Sequence, residues 1–211
     1  MPVNFEIKSE KFVAAVMWIM VALGGMIFLA AAYRLDLRIV NSQFLILAAI
    51  AILLSSRVSI QIPQIRSQIS VSDTFVFLAL MLYGVEAAIL VAATEALLSS
   101  FRISRKPITI LFNWACGAWS ALITSYSLKL FYGDPVQLSY APLSARFITA
   151  VVLMALVQYA INSGIVAVCA ALKAGTPIWQ TWQKHYLWTS ITYFVGAIAA
   201  VVIARLMGQF G

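Results

Sequence analysis

Six polar side chains interrupt runs that otherwise read as apolar: Asp73, Glu86, Glu95, Asn113, Gln158 and Asn162. Carboxylates placed together can exchange protons or balance a cation, and carboxamides beside them can fix a polar ligand by hydrogen bonds. In hydrocarbon an ionisable group is costly, so it faces protein or water and is a functional candidate by default. Glu86 and Glu95 are nine residues apart, about 180° around a helix, and so are not a catalytic pair. Glu86 falls in a first helical turn, where the positive end of the helix dipole favours an anion. Glu95 lies six residues before Phe101, about 9 Å from the expected end of its helix at 1.5 Å per residue. It shares a face with Ala88, Ala92 and Ser99, and the Ala88–Ala92–Ala96 stripe predicts a close helix approach with Glu95 turned into the bundle. Asn113 lies six residues into the following helix, at matching depth, so its amide is expected to donate to Glu95. Gln158 and Asn162 stand four apart on one helical face. Glu95, Asn113, Gln158 and Asn162 thus read either as one polar site or as interhelical glue worth about 1 kcal/mol each. Asp73, with Ser72, reads first as a helix cap.

The elements that would hold these residues follow from hydropathy. The chain has 211 residues, 63% hydrophobic and 10% charged, with a mean hydropathy of +0.96. Soluble domains carry about 25% charged residues. The expected fold is therefore all-α, a polytopic transmembrane bundle forming a single integral membrane domain over 1–211. The expected segments are 12–32, 40–56, 72–83, 85–101, 107–131, 143–172 and 186–207. Residues 72–101 fit either one long helix or a short helical hairpin turning at Gly84. Lys and Arg collect on the cytoplasmic side of a membrane. The hairpin, with seven crossings, divides the fourteen basic residues nine to five, whereas a single helix divides them evenly. The hairpin is preferred, with the N-terminus cytoplasmic and the C-terminus external. Pro107 suits a first helical position, and Tyr132-Gly-Asp-Pro135 and Lys173-Ala-Gly-Thr-Pro177 are turn clusters. Trp179, Trp182, Tyr186 and Trp188 read as an interfacial aromatic belt. "SIQIPQIRSQISV" alternates apolar and polar residues, but Pro63 argues against a regular strand and for a surface connector.

Several functions are set aside. The formal charge of +7 comes from basic residues scattered between apolar runs, which suits juxtamembrane anchoring to the lipid bilayer and not nucleic acid. Phe12–Ala32 is too long for a signal-peptide core. One histidine, His185, and two separated cysteines, Cys116 and Cys169, give no metal-ligand spacing. His185 reads as interfacial, and a disulfide is not expected. No phosphate-binding loop, nucleophile elbow or zincin motif occurs, so neither an enzyme nor a cofactor is expected.

"SVSDTFVFLALMLYGVEAAILVAATEALLSSFRISRKPITILFN" and "YAINSGIVAVCAALKAGTPIWQTWQKHYLW", followed by "YFVGAIAA", resemble the N-terminal membrane domain of bacterial HD-GYP and GGDEF signalling proteins, which handle cyclic di-GMP. The matching elements are Ser70 to Phe77, Gly84 to Ala87, Arg102 to Lys106 and Leu111 to Asn113, within a likeness covering about residues 39–200. The resemblance implies a sensory or regulatory input module of the bacterial inner membrane. Such a module would bind a small or lipidic signal and act through a protein partner or a fused cytoplasmic domain. The family carries one further helix before its output, so the chain is expected to be either a piece of a larger receptor or a stand-alone relative. "DTFVFLALMLYG" followed by a small-residue helix also resembles the S-components of vitamin-type transporters, whose usual plan of six helices ends in the cytoplasm. A substrate-binding transporter subunit and a structural membrane subunit are the alternatives.

Overall fold

A computed structural model describes residues 3–55, 59–61, 68–70 and 72–210. Apart from one short ribbon, these residues form helices joined by tight turns. The helices are α1 (Val3–Arg34), α2 (Ser42–Ser55), α3 (Ser72–Tyr83), α4 (Val85–Ile103), α5 (Pro107–Tyr132), α6 (Pro135–Tyr140), α7 (Ala145–Ala174), α8 (Ile178–His185) and α9 (Ser190–Phe210). The ends follow local chemistry. Asn41 Oδ1 accepts from Phe44 N at 2.9 Å, Asp134 Oδ1 from Val136 N at 2.9 Å and Ser144 Oγ from Phe147 N at 3.2 Å. Each satisfies an amide that the first helical turn leaves without an internal acceptor. Pro107 opens α5, and Gly175, in the left-handed region at φ 63°, closes α7.

Residues 72–101 are not one helix. The chain breaks at Gly84, whose φ of 90° is open to glycine and disfavoured for other residues. Helices α3 and α4 pack on one another. The turn between them lies beside α6, where a Cβ on Gly84 would stand 3.7 Å from Val136. At the same end Phe44 meets Tyr83 edge-on at 5.1 Å, Arg146 reaches the Tyr132 carbonyl, and Arg205 of α9 donates to the Ala141 carbonyl.

Four helices among the described residues are long and apolar enough to cross a membrane: Lys11–Arg34, Pro107–Tyr132, Ala145–Ala174 and Leu187–Met207. Helices α2 and α3 have 14 and 12 residues, about 21 and 18 Å at 1.5 Å per residue, short of a core about 30 Å thick. Beyond its first turn, Ser72-Asp73-Thr74, helix α3 is apolar around its circumference, and it is buried from Ser72 to Met81, packed among α2, α4, α6 and α9. A helix with no polar face has to be enclosed in this way.

Small residues set the tightest crossings. A Cβ on Gly117 of α5 would lie 2.6 Å from the Ala92 carbonyl oxygen and 3.1 Å from Ala96 Cβ. The alanine stripe of α4 therefore meets the α5 backbone directly, as small-residue interfaces permit. Gly24 of α1 makes a similar approach to Ala115, and Gly196 of α9 brings that helix against the start of α3.

Three sequence expectations change. Ser59–Gln61 and Gln68–Ser70 pair antiparallel, with Ser59 opposite Ser70 and Gln61 opposite Gln68. The alternating run is thus a small ribbon on either side of Pro63, which itself lies outside the described residues, as do Arg57 and Arg66 of the loop-charge reading. The loop expected between the fifth and sixth segments contains α6, and the aromatic-rich loop contains α8. Both helices are too short to leave a clear hydropathy signal.

Candidate functional site

The start of α3 and faces of α4, α5, α7 and α9 line an open cavity of about 260 Å³. Asp73 comes from α3, Glu95, Ser99 and Ser100 from α4, Asn113, Cys116 and Ser120 from α5, Gln158 and Asn162 from α7, and Tyr193 from α9. Val76, Ala92, Ala96 and Val166 supply its apolar wall. All four principal polar residues singled out in the sequence line this cavity, together with Asp73. Glu86 is not among its lining residues; it sits half-buried in the first turn of α4.

Two of the four are held firmly by protein. Gln158, only 3% exposed, accepts from Thr124 Oγ1 at 2.8 Å through Oε1 and donates to Ser120 Oγ at 3.3 Å through Nε2. It ties α7 to α5 and uses both ends of its amide. Asn162 Nδ2 donates to the Tyr193 hydroxyl at 2.7 Å and ties α7 to α9. The amide carbonyl of Asn162 has no donor among the described residues.

The expected Glu95–Asn113 bond takes another form. Ser99 Oγ, one turn along the same helix, donates to Glu95 Oε1 at 2.5 Å. Asn113 Nδ2 donates instead to Ser100 Oγ at 2.8 Å. The depth match between Glu95 and Asn113 is sound, because both line the same cavity. The serines on α4 are simply nearer to each partner, and the i, i+4 geometry of a helix brings Ser99 onto Glu95.

Asp73 does not form the expected cap. It is 8% exposed and lines the cavity. Among the described residues no hydrogen-bond donor reaches its carboxylate. A Cβ on Gly196 would stand 3.2 Å from the Thr74 amide nitrogen and 3.5 Å from Asp73 Cβ, so the glycine lets α9 close against the start of α3.

Tyr193 is a site residue that sequence reasoning missed. A tyrosine in an apolar span reads as packing, and only its hydroxyl, which needs a partner when buried, hinted at more. A second polar chain runs outward from α7. Trp182 Nε1 donates to Ser163 Oγ at 2.9 Å, and the Tyr159 hydroxyl donates to the Tyr186 and Leu187 carbonyls at 3.3 and 3.4 Å. These bonds fix α8 against α7. Cys116 and Cys169 are free thiols, both buried. No group of three or more His, Cys, Asp and Glu side chains suited to a metal ion gathers among the described residues.

No family model, curated protein or solved structure matches the chain. Fold and site thus define a class only: a helical bundle with four membrane-length apolar helices among the described residues and a polar cavity between helices.

Proposed function

We propose that the protein is a membrane-embedded input module that receives a small polar ligand in this cavity and passes a change in helix packing to a partner or to a fused cytoplasmic domain. The observation that carries this reading is the convergence of Asp73, Glu95, Asn113, Gln158, Asn162 and Tyr193, from five different helices, on one open cavity. Gln158, Asn162 and Asn113 each bond within one helix pair, as glue would, but they do so around a shared space with room for a ligand, lined by side chains up to 120 positions apart. Ligand pockets typically combine an apolar wall with a few placed polar groups, often between the helices of a bundle. A ligand that favours one packing of α4, α5, α7 and α9 shifts the population toward it, by as much as its affinity differs between the packings.

The same reading places the module in a bacterial inner membrane with seven crossings, its N-terminus cytoplasmic and its C-terminus external. The break at Gly84 and the contacts that gather Gly84, Val136, Tyr83, Ala141 and Arg205 at one end support that path. Cyclic di-GMP signalling is the output that the family resemblance favours.

A substrate-binding subunit of a small-molecule transporter is the second reading, favoured by the size of the cavity, about 260 Å³. Purification of the full chain from its native membrane separates the two. A stoichiometric transport ATPase in the complex supports the transporter, and a cyclase or phosphodiesterase supports the sensor. The ligand reading itself is tested by thermal-unfolding screens of charged and neutral small molecules against the intact protein and Val166→Trp, which fills the cavity from α7. Stabilisation of the former alone is expected; no compound distinguishing the two would contradict it.

A further inference from the structure

We infer that the cavity takes a small organic cation, an amine or amidine, with the Asp73 carboxylate as its counter-charge. The inference rests on the reading of the cavity as a ligand site and specifies the chemistry of its occupant.

Charge is the first reason. The described residues lining the cavity include two acids, Asp73 and Glu95, and no Lys, Arg or His. Asp73 is more than nine-tenths buried and turned into the volume, and no donor among the described residues reaches it. A carboxylate withdrawn from water needs a positive charge or several donors beside it. An N–H-bearing cation entering the cavity brings both.

Hydrogen-bond polarity is the second. The Asn113 and Asn162 amides already donate to Ser100 and Tyr193, and the Gln158 amide donates to Ser120. Each asparagine thus commits one N–H to protein and keeps its Oδ1 as an acceptor beside a second N–H. The Asp73 carboxylate and the two asparagine carbonyls offer acceptors to a ligand that donates.

Size and wall are the third. The cavity of about 260 Å³ equals some eight water volumes at ~30 Å³ each, more than a bare metal ion uses and near the lower range of small-molecule pockets. Val76, Ala92, Ala96 and Val166 offer an apolar wall for a carbon skeleton. A hard metal ion would instead seek six or more oxygens closely drawn around it.

The test uses the full chain in lipid nanodiscs and follows thermal unfolding with shape-matched pairs of probes that differ in charge: putrescine against 1,4-butanediol, and phenethylamine against 2-phenylethanol. Sodium chloride holds ionic strength constant. At least one amine is expected to raise Tm saturably, by about 5 °C at a large excess over Kd. The neutral partner should have no effect, and the rise should be lost in Asp73→Asn. The proposal is overturned if the neutral compounds stabilise as well as the amines, if sodium chloride alone gives the saturable rise, if Asp73→Asn responds like the intact chain, or if no amine acts. Should Asp73→Asn not fold, the amine-against-alcohol comparison on the unaltered protein decides the matter. Stabilisation by a neutral compound that Val166→Trp abolishes would reject the cation while leaving the cavity as a ligand site. Absence of any response in either series would remove both.

Discussion

The Asn162 amide donates to the Tyr193 hydroxyl at 2.7 Å, joining α7 to α9 at the edge of the polar cavity. The bond fixes the cavity wall in a region where packing of apolar faces alone allows helices to slide. Tyr193→Phe keeps the ring and removes the acceptor. It should lower thermal stability in detergent by about 0.6–1 kcal/mol, the range of interhelical hydrogen bonds in membranes.

Gly117 provides a sharper test of the α4–α5 crossing. Gly117→Ala places a methyl 2.6 Å from the Ala92 carbonyl, so the helices must separate, at a cost of about 1–3 kcal/mol. Gly164→Ala in α7 meets nothing within 4 Å, and there the better helix propensity of alanine should leave stability unchanged or raised by up to about 1 kcal/mol. Equilibrium unfolding of the two variants side by side checks the contrast.

The two glutamates should differ. Glu95→Leu removes a cavity carboxylate and the acceptor of Ser99, and should abolish ligand response or destabilise by about 1–3 kcal/mol. Glu86→Gln, in the first turn of α4 and away from the cavity lining, should stay within about 0.5 kcal/mol. Ligand titration and thermal unfolding of both variants read this out, and equal, negligible effects would count against the site.

Helix α8 depends on its anchors. Trp182→Ala removes the bond to Ser163 and the ring contacts with Tyr159 and Trp179, at 5.6 and 5.2 Å. Hydrogen exchange of backbone amides in 178–187 should rise at least about tenfold, corresponding to about 1.4 kcal/mol of local opening, while amides of α4 and α5 keep their protection.

Sequence and structure agree most closely where one helix dictates the outcome. The Ala88–Ala92–Ala96 stripe announced its close partner, and Gly84 announced a break that a left-handed residue allows. Glu95, Asn113, Gln158 and Asn162 could be brought together because depth along a membrane helix is a count of residues. Rotation about each helix axis is not. That is why the sequence paired Asn113 with Glu95, when Ser100 and Ser99 stand closer to each, and why Tyr193 went unnoticed on α9. Asp73 read as a cap from its neighbours alone, and no helix N–H among the described residues reaches it. At the cavity it lies beside Gly196, more than a hundred residues away in the chain, and no local signal carries that information.

Cys116 offers the most direct measurement, because its thiol lines the cavity and is otherwise buried. In a Cys169→Ser background, the cationic reagent 2-aminoethyl methanethiosulfonate should label Cys116 in the folded protein at least about tenfold faster than the anionic 2-sulfonatoethyl analogue, the scale on which a charged cleft concentrates one sign of ion. Val166→Trp should suppress that labelling. A thiol that neither reagent reaches until the protein is unfolded, or that both label equally with or without Val166→Trp, would contradict a cavity open to a small cation.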